Sequence, residues 1–179
     1  MARPLDAVMG SPCPRHVRNS LRTGRASGYR HAVALEIALL GPPRVTRDGA
    51  PVVFETRKAM ALLAHLALTA RPRSRVALCE LLYPDHDPDR ARGALRRTLS
   101  TLRSGIGEEW IDTAADSVAL RSAPGLDLDV ASFRALAADG APEQRLGEAV
   151  ALFAGDLLEG FALRDSPDFD DWQLAQAAT

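Results

Sequence analysis

The stretch Asp89–Ile106 reads DRARGALRRTLSTLRSGI, and the predicted fold is built around it. Wound as an α-helix, it brings its apolar residues onto one stripe. The stripe consists of Ala91, Leu95, Thr98, Leu99, Leu102 and Ile106. At about 100° per residue it covers about a third of the circumference, which is the width of one buried face. The other side carries arginines and small residues: Arg90, Gly93, Arg97, Ser100, Thr101 and Ser104, with Arg92, Arg96 and Arg103 along one shoulder.

The charge on this helix is poorly balanced within the helix itself. It contains five arginines but a single acid, Asp89, in the first turn, where a negative charge suits the helix dipole. A solvated surface helix more often alternates the two signs at i, i+4 spacing. Two interpretations stay open from the helix alone: a face that binds a phosphate backbone, or a solvated basic face.

The composition is typical of a soluble globular protein, since 46% of the 179 residues are hydrophobic and 25% are charged. The longest apolar-rich run, residues 59–70, is too short to cross a bilayer, so no membrane partner is predicted. Aromatic residues make up only 5% of the chain, which gives little support for stacking on single-stranded bases. The two cysteines, Cys13 and Cys79, have no motif spacing, which predicts a reducing compartment and a buried thiol at Cys79.

The two halves of the chain have opposite charge. Residues 1–107 carry 18 Lys and Arg against 8 Asp and Glu, a net charge of +10, whereas residues 108–179 carry 4 against 15, a net charge of −11. The basic part could face nucleic acid and the acidic part could not. This division predicts two units with different partners.

The first half of the chain predicts a basic tail and then an α+β domain. Residues 1–34 are rich in Arg, Pro and Gly, which predicts a disordered basic tail. Three short strands follow from Leu35, the last two around the turn signal Asp48-Gly49. Thr56 is expected to cap an apolar helix that reaches about Ala70 and carries a half-exposed His65, and Ser74 is expected to cap a shorter helix with Val76, Leu78, Leu81 and Leu82 on it.

The segment YPDHDPD, residues 83–89, contains several possible metal ligands. Its spacing fits neither a calcium loop nor a zinc site, and its two prolines predict a turn into a capped helix. After the arginine-rich helix, which Gly105 and Gly107 are expected to end, residues 110–122 predict a second hairpin. The order strands, helix, helix, basic helix, hairpin is that of a winged helix-turn-helix.

From Leu126 the sequence predicts acidic amphipathic helices. Their expected apolar faces are formed by Val130, Phe133 and Leu136, and by Leu146, Val150 and Phe153; a third helix starts after Pro167. Such pairs stack in helical repeat arrays, and here the array is incomplete. The predicted fold is thus an α+β winged helix-turn-helix domain over residues 35–124, followed by a short all-α, TPR-like and incomplete segment over residues 125–179.

Residues 35–179 resemble the bacterial SARP-type transcriptional activators, in which an OmpR-like winged helix precedes a bacterial transcriptional activator domain. The resemblance is carried by LEIALLGPPRVTRDGAPV, ALLAHLAL, LLYPDHDPDRARGALRRTLSTLRSGIG, VASFRALAA and AVALFAGDLLEGFALRDSPDFDDWQL. It implies a regulator that binds double-stranded DNA, often as a head-to-tail pair on direct repeats, and that contacts RNA polymerase. The activator part is cut after its first helices, so the chain is expected to be either a fragment or a naturally short protein.

The resemblance also implies roles for individual residues. Arg96 and Arg97 lie where base-edge contacts are expected, and Arg92, Ser100 and Arg103 where phosphate contacts are expected. Thr101 stands where the family commonly has a basic residue. The turn over residues 113–118 has no Arg or Lys, which argues against minor-groove contact there. The family's transactivation loop corresponds to Tyr83, Pro84, Asp85, His86 and Asp87.

The sequence thus predicts a sequence-specific regulator of transcription, with an activating role and with helix 89–106 in the major groove. The alternative is a protein–protein adaptor that uses the acidic helical segment and no longer binds DNA. No enzyme is predicted, because GxSxG, Walker, HExxH and Cys/His motifs are absent, and the acids Asp165, Asp168, Asp170 and Asp171 are typical of a solvated helix start. No metal or cofactor is expected, and the predicted location is the bacterial cytoplasm, in association with the nucleoid.

Overall fold

The computed structural model describes residues 34–178, so the predicted tail lies outside the described residues apart from its last position. The elements follow in the order β1 (Leu35–Ala38), β2 (Arg44–Arg47), β3 (Ala50–Pro51), α1 (Arg57–Thr69), β4 (Arg73–Ser74), α2 (Arg75–Leu82), α3 (Pro88–Ile106), a 3₁₀ turn (Glu108–Trp110), β5 (Ile111–Thr113), β6 (Ser117–Leu120), β7 (Leu126–Leu128), α4 (Asp129–Leu136), α5 (Glu143–Leu152) and α6 (Pro167–Ala177). None of the described helices combines the length and the apolar character that crossing a membrane requires.

The first sheet has the strand order β3-β2-β1-β7. The turn between β2 and β3 is the one that the sequence predicts, since Asp48 and Gly49 have φ of 53° and 79°. Strand β7 pairs in parallel with β1, an addition that the sequence did not indicate. Asp129, directly after β7, accepts hydrogen bonds from the backbone N–H groups of Leu39 and Leu40, each at 2.8 Å, and so joins the sheet to the start of α4.

Helix α1 lies at the centre of the core, as predicted. Every residue from Ala61 to Leu68 is buried, because α2, α3 and strand β6 all pack against this helix. Each fully buried Leu contributes about 1.5–3 kcal/mol. Thr56 holds the N-cap position, but its side chain makes no capping hydrogen bond, contrary to the prediction.

His65 is a second correction, because it is only 3% exposed rather than half-exposed. Its ring lies 4.5 Å from the ring of Trp172 in α6, so a helix more than 100 residues later covers it. Burial, with a smaller effect of the nearby Arg73 charge, lowers the pKa of His65 to about 4. The residue is therefore a neutral part of the core.

The second sheet has the strand order β4-β6-β5. We call the hairpin formed by β5 and β6, residues 111–120, the wing. It confirms the predicted second hairpin, although Trp110 lies in the 3₁₀ turn before it. Strand β4, which the sequence did not indicate, pairs Arg73 with Val118 and Ser74 with Ser117. Helices α2 and α3 pack against each other beside the wing, which completes a winged helix-turn-helix.

Helices α4 and α5 pack against each other, and the apolar face predicted for α5 is left largely uncovered. Leu146, Val150 and Phe153 are 43%, 71% and 50% exposed, and only Ala149 of this helix is buried. The three side chains predicted to form the apolar face of this helix are therefore mostly exposed within residues 34–178. The α+β winged helix-turn-helix followed by a short helical segment is nevertheless the observed architecture.

Candidate nucleic-acid interface

Helix α3 is built as the sequence predicts. Asp87 is its N-cap and accepts a hydrogen bond at 3.0 Å from the backbone N–H of Arg90, with Pro88 in the first turn. This hydrogen bond is the main reason why the pKa of Asp87 is lowered. Gly107 ends the helix with φ of 103°, a conformation that favours glycine. The buried stripe contains all six predicted residues and Ala94 in addition.

The side of α3 that faces solvent is strongly basic. We call the exposed residues Arg90, Arg92, Arg96 and Arg97 the cationic side of α3. Arg92 pairs with Asp89 at 2.7 Å, and the Nε atom of Arg90 lies 3.8 Å from Asp87. Arg96 and Arg97 have no hydrogen bond or ion pair within residues 34–178, so their charge is not neutralised there. The acids that do pair come from the first turn of α3 and its cap, and the C-terminal acidic helices take no part.

Arg103, for which a phosphate contact was expected, is tied to the wing instead. It is half-buried, and its Nη2 atom donates a hydrogen bond of 2.9 Å to the hydroxyl of Thr113 at the end of β5. The contact fixes the wing against the C-terminal half of α3. It also occupies one edge of the guanidinium group that a phosphate could otherwise use.

Ser100 and Thr101 lie on the other flank of α3. They line an open groove of about 410 Å³ together with Val53 and Glu55, from the segment between β3 and α1. Ser100 is exposed, whereas Thr101 is half-buried. A Cβ at Gly105 would lie 2.7 Å from the Phe54 ring, so the glycine allows this segment to approach the helix closely. Gly105 thus lies inside α3 and serves packing, and does not end the helix as predicted.

The wing carries two acids, Asp112 and Asp116, and no Lys or Arg, and of the two acids only Asp112 has an ion-pair partner among residues 34–178. Arg121, just after β6, forms an ion pair with Asp112, and the guanidinium group lowers the pKa of that carboxyl group. Glu109, just before β5, pairs with Arg47 at 2.9 Å. The turn between the two strands has Asp116 and no cation. A negative wing repels a phosphate backbone.

The predicted transactivation loop divides into one buried residue and four exposed ones. Pro84, Asp85, His86 and Asp87 are exposed, whereas Tyr83 is only 7% exposed. The hydroxyl of Tyr83 shares a hydrogen bond with Thr98 on the buried stripe of α3, and burial raises the pKa of Tyr83. The His86 ring stacks on the Tyr83 ring at a centroid distance of 5.4 Å. Tyr83 therefore anchors the loop to α3.

Lys58 in α1 links this loop to the C-terminal segment. Its Nζ atom donates a hydrogen bond to the backbone oxygen of Leu82, lies 4.2 Å from the centre of the Tyr83 ring and pairs with Asp165 at 2.8 Å. The hydroxyl of Ser166 donates to the same Leu82 oxygen at 2.9 Å. Nothing in the local sequence around Lys58 or Ser166 indicates these contacts, because the partners lie 24 and 84 residues away.

Two of the acids near the start of α6 make structural contacts, and Cys79 lies in the core. Asp165 pairs with Lys58, and Asp170 accepts a hydrogen bond from the backbone N–H of Leu163. The prediction of a solvated helix start therefore does not hold for these two acids. Cys79 is a free, buried thiol, as predicted. Within residues 34–178 no three His, Cys, Asp or Glu side chains are grouped so that they could hold a metal ion.

Comparison with known proteins identifies similar transcriptional regulatory proteins. No protein-family model matches the chain. Over 91 residues, half of this chain, it is 37% identical to the transcriptional regulatory protein EmbR of Mycobacterium tuberculosis and of Mycobacterium bovis. The chain spans about a quarter of the length of these relatives, since the matched part covers 23% of them.

A solved structure of Mycobacterium tuberculosis EmbR, in complex with a low-affinity phosphopeptide, has a similar fold. The TM-score is 0.65 and the identity 28%, over 82% of this chain and 42% of the other. The similarity therefore extends beyond the winged helix-turn-helix into the helical segment. In sequence and in fold the chain is thus similar to a bacterial transcriptional regulatory protein, the class of protein that its motifs indicate.

Proposed function

We propose that this protein is a sequence-specific regulator of transcription that places α3 in the major groove of double-stranded DNA. The single observation that carries the proposal is the cationic side of α3, where Arg96 and Arg97 are exposed and have no partner among residues 34–178. Two adjacent arginines with free guanidinium groups on an exposed helix match the donor pattern that reads guanine O6 and N7. The relatives' description as transcriptional regulatory proteins supports the same conclusion.

In this proposal the arginines have different tasks. Arg97 and Arg96 contact base edges, and Arg92 and Ser100 contact phosphates. Arg103 and Thr101 contribute less, because the first is bound to Thr113 and the second is half-buried beside Glu55. The helix-turn-helix, residues 35–124, is the DNA-binding unit, and residues 125–179 are the start of a helical activator domain.

The partners implied by the family belong to the proposal as well. The exposed residues Pro84–Asp87 would contact RNA polymerase, with Tyr83 as their anchor, and two chains would bind head-to-tail on direct repeats. The protein would then act as an activator on the bacterial nucleoid, in the cytoplasm. The phosphopeptide in the EmbR structure is not part of the proposal, since the matched part is less than half of that structure.

The test is a binding titration with the full chain. A duplex is first selected from a randomised pool, and binding to it and to a shuffled duplex is measured at several salt concentrations. Because cation release accompanies each phosphate contact, affinity for both duplexes falls steeply with salt. Arg97→Ala is expected to weaken binding to the selected duplex by about 10- to 100-fold, with less effect on the shuffled one, because one bidentate base contact is lost.

The control is Arg134→Ala, which removes an exposed arginine from α4, away from α3. It should leave both affinities unchanged. Equal losses of Arg97→Ala on the two duplexes would remove the base-reading role.

A second candidate function, the adaptor, is favoured by the exposed apolar side chains of α5, namely Leu146, Val150 and Phe153. An exposed apolar stripe of this kind is typical of a protein-binding surface. If the wild-type chain bound no duplex in a salt-dependent manner, the adaptor would replace the regulator.

A further inference from the structure

Val53 and Glu55 project beside α3 from the segment that joins β3 to α1. Along residues 52–55 the exposure alternates, since Val52 and Phe54 are half-buried whereas Val53 and Glu55 are exposed. Alternation with a period of two is typical of an extended backbone, so Val53 and Glu55 point to the same side. Val53 is 88% exposed, more than any other large apolar side chain in the described part of the chain. Neither residue therefore serves the core.

The two inward residues of this segment hold it against α3. A Cβ at Gly105 would lie 2.7 Å from the Phe54 ring and 3.0 Å from the Val52 side chain, so the glycine lets both pack closely on the helix. The backbone N–H of Val52 also donates a hydrogen bond of 2.9 Å to the backbone oxygen of Val45 in β2. Val53 and Glu55 are thus carried by a segment that is fixed both to α3 and to the first sheet.

The groove between this segment and α3 has no cation in its lining. One side of the groove is formed by Ser100, Thr101 and Ser104 of α3, and the other by Val53 and Glu55. The Glu55 side chain has no hydrogen bond or ion pair with the described part of the chain. A phosphate would meet a carboxylate there, with no positive charge to offset the repulsion. The Glu55 side of the groove is therefore unsuited to the sugar–phosphate backbone.

The same side chains suit the edges of bases in a major groove. A carboxylate accepts a hydrogen bond from the N4 amino group of cytosine, and an apolar side chain packs on the methyl group of thymine. Thr101 follows Arg97 by four residues, which is about 6 Å along a helix, so the groove lies about one turn beyond the proposed base contact of Arg97. A duplex bound by Arg97 therefore extends past Val53 and Glu55.

We propose that Glu55 and Val53 read bases next to those that α3 reads. Glu55 accepts a hydrogen bond from a cytosine amino group, and Val53 contacts a thymine methyl group. This inference rests on the proposed function and gives it a second specificity-determining element. Because an acid close to DNA lowers the affinity for every sequence that does not offer it a donor, the contact contributes discrimination more than affinity.

The experiment selects duplexes from a randomised pool, in parallel, with the full chain as wild type, Glu55→Gln and Glu148→Gln. Glu148→Gln removes an exposed acid from α5 and should select the wild-type sequence. Glu55→Gln should lose about tenfold in preference for cytosine at one position and favour adenine there, because a glutamine amide pairs with adenine N6 and N7. Its affinity for the shuffled duplex should rise by about twofold, since a charge that repels phosphates is removed.

A second variant tests the apolar contact. Val53→Ala should relax the preference for thymine at a neighbouring position by about threefold and leave the salt slope unchanged, because no charge is altered. The matched control is Val150→Ala, since Val150 is 71% exposed on α5. Thermal unfolding of Glu55→Gln and Val53→Ala should equal that of wild type, because both side chains are exposed.

Several results would overturn the inference, and they differ in what they say about the proposed function. If Glu55→Gln selects the wild-type sequence while Arg97→Ala still loses its duplex preference, Glu55 does not read a base and the regulator stands. A gain of affinity for all duplexes alike, with unchanged base preference, would mean that the carboxylate only repels phosphates.

If wild type itself shows no salt-dependent binding, both proposals fail. A changed preference that is accompanied by a lower unfolding temperature in Glu55→Gln assigns the segment a structural role and contradicts the inference. Wild-type selection by Val53→Ala removes the thymine contact.

Discussion

The cationic side of α3 and the wing belong to the same domain but carry charges of opposite sign. On α3, Arg96 and Arg97 are exposed and unpaired within residues 34–178, whereas the wing and the residues beside it carry acids that pair with Arg47 and Arg121. A hydrogen bond from Arg103, in the C-terminal half of α3, to Thr113 joins the helix to the wing. The difference teaches that a winged helix can keep the hairpin of the wing without the positive charge that would attract a phosphate backbone. In the proposed complex the affinity comes from the helices, and the wing fixes the orientation of α3.

The largest effect is expected from a substitution that weakens the packing of α3 against the core. Leu102 is fully buried on the stripe that holds α3 against α1 and α2. Leu102→Ala is expected to lower the free energy of unfolding by about 2–5 kcal/mol, because the cavity cost adds to the lost transfer free energy. Denaturant unfolding followed by circular dichroism measures this.

The matched control for this change is Leu174→Ala, since Leu174 is 70% exposed on α6 and should cost little. Similar losses for the two variants would contradict the assignment of the stripe to the core.

A smaller effect is expected from giving the wing the charge that it lacks. Asp116→Lys replaces an exposed acid in the turn by a cation, and the backbone oxygen that binds Arg75 is retained. If the wing faces the duplex, affinity for every sequence should rise by about three- to fivefold and the salt slope should steepen by about 1.

Asp139→Lys, which makes the same charge change at an exposed site between α4 and α5, is the control for net charge. If it raises affinity as much as Asp116→Lys does, the gain comes from the overall charge and the wing has no special position.

The smallest effect is expected at the hydrogen bond that joins α3 to the wing. Thr113→Val keeps the shape of the side chain and removes the acceptor of the Arg103 hydrogen bond. Because the bond is partly exposed, the free energy of unfolding should fall by only about 0.5 kcal/mol. Affinity should change by no more than about twofold, and a larger loss on the selected duplex would show that the wing orients α3 more firmly than this single contact implies.

The parts of the fold that the sequence predicted depend on short-range physical chemistry. Ser74 accepts a hydrogen bond from the backbone N–H three residues later, Asp87 does the same for α3, and the Asp48-Gly49 turn needs positive φ at two adjacent residues. The arginine-rich helix was recognised because its apolar period and its charge are both visible in one window of sequence.

The parts that were not predicted depend on residues far apart in the chain. The environment of His65 is set by Trp172, and the carbonyl of Leu82 is satisfied by Ser166, 84 residues later. Strands β4 and β7 have only two and three residues, too short for a periodic signal. The exposed face of α5 has the same amphipathic pattern as a buried one, so its sequence could not tell the two apart. The roles of Arg92, Arg96, Arg97 and Ser100 came from the resemblance and stay predictions.

The hydrogen bonds to the Leu82 carbonyl limit how this protein can be shortened. A fragment that ends at residue 124 keeps the whole helix-turn-helix and the wing, yet it loses Ser166 and Asp165, and with them the second donor to that carbonyl and the counterion of Lys58. It also lacks Trp172, which covers His65 in the full chain, so the imidazole becomes exposed. The minimal stable fragment is therefore not the one that the secondary-structure boundaries suggest, because α6 completes the packing of α1.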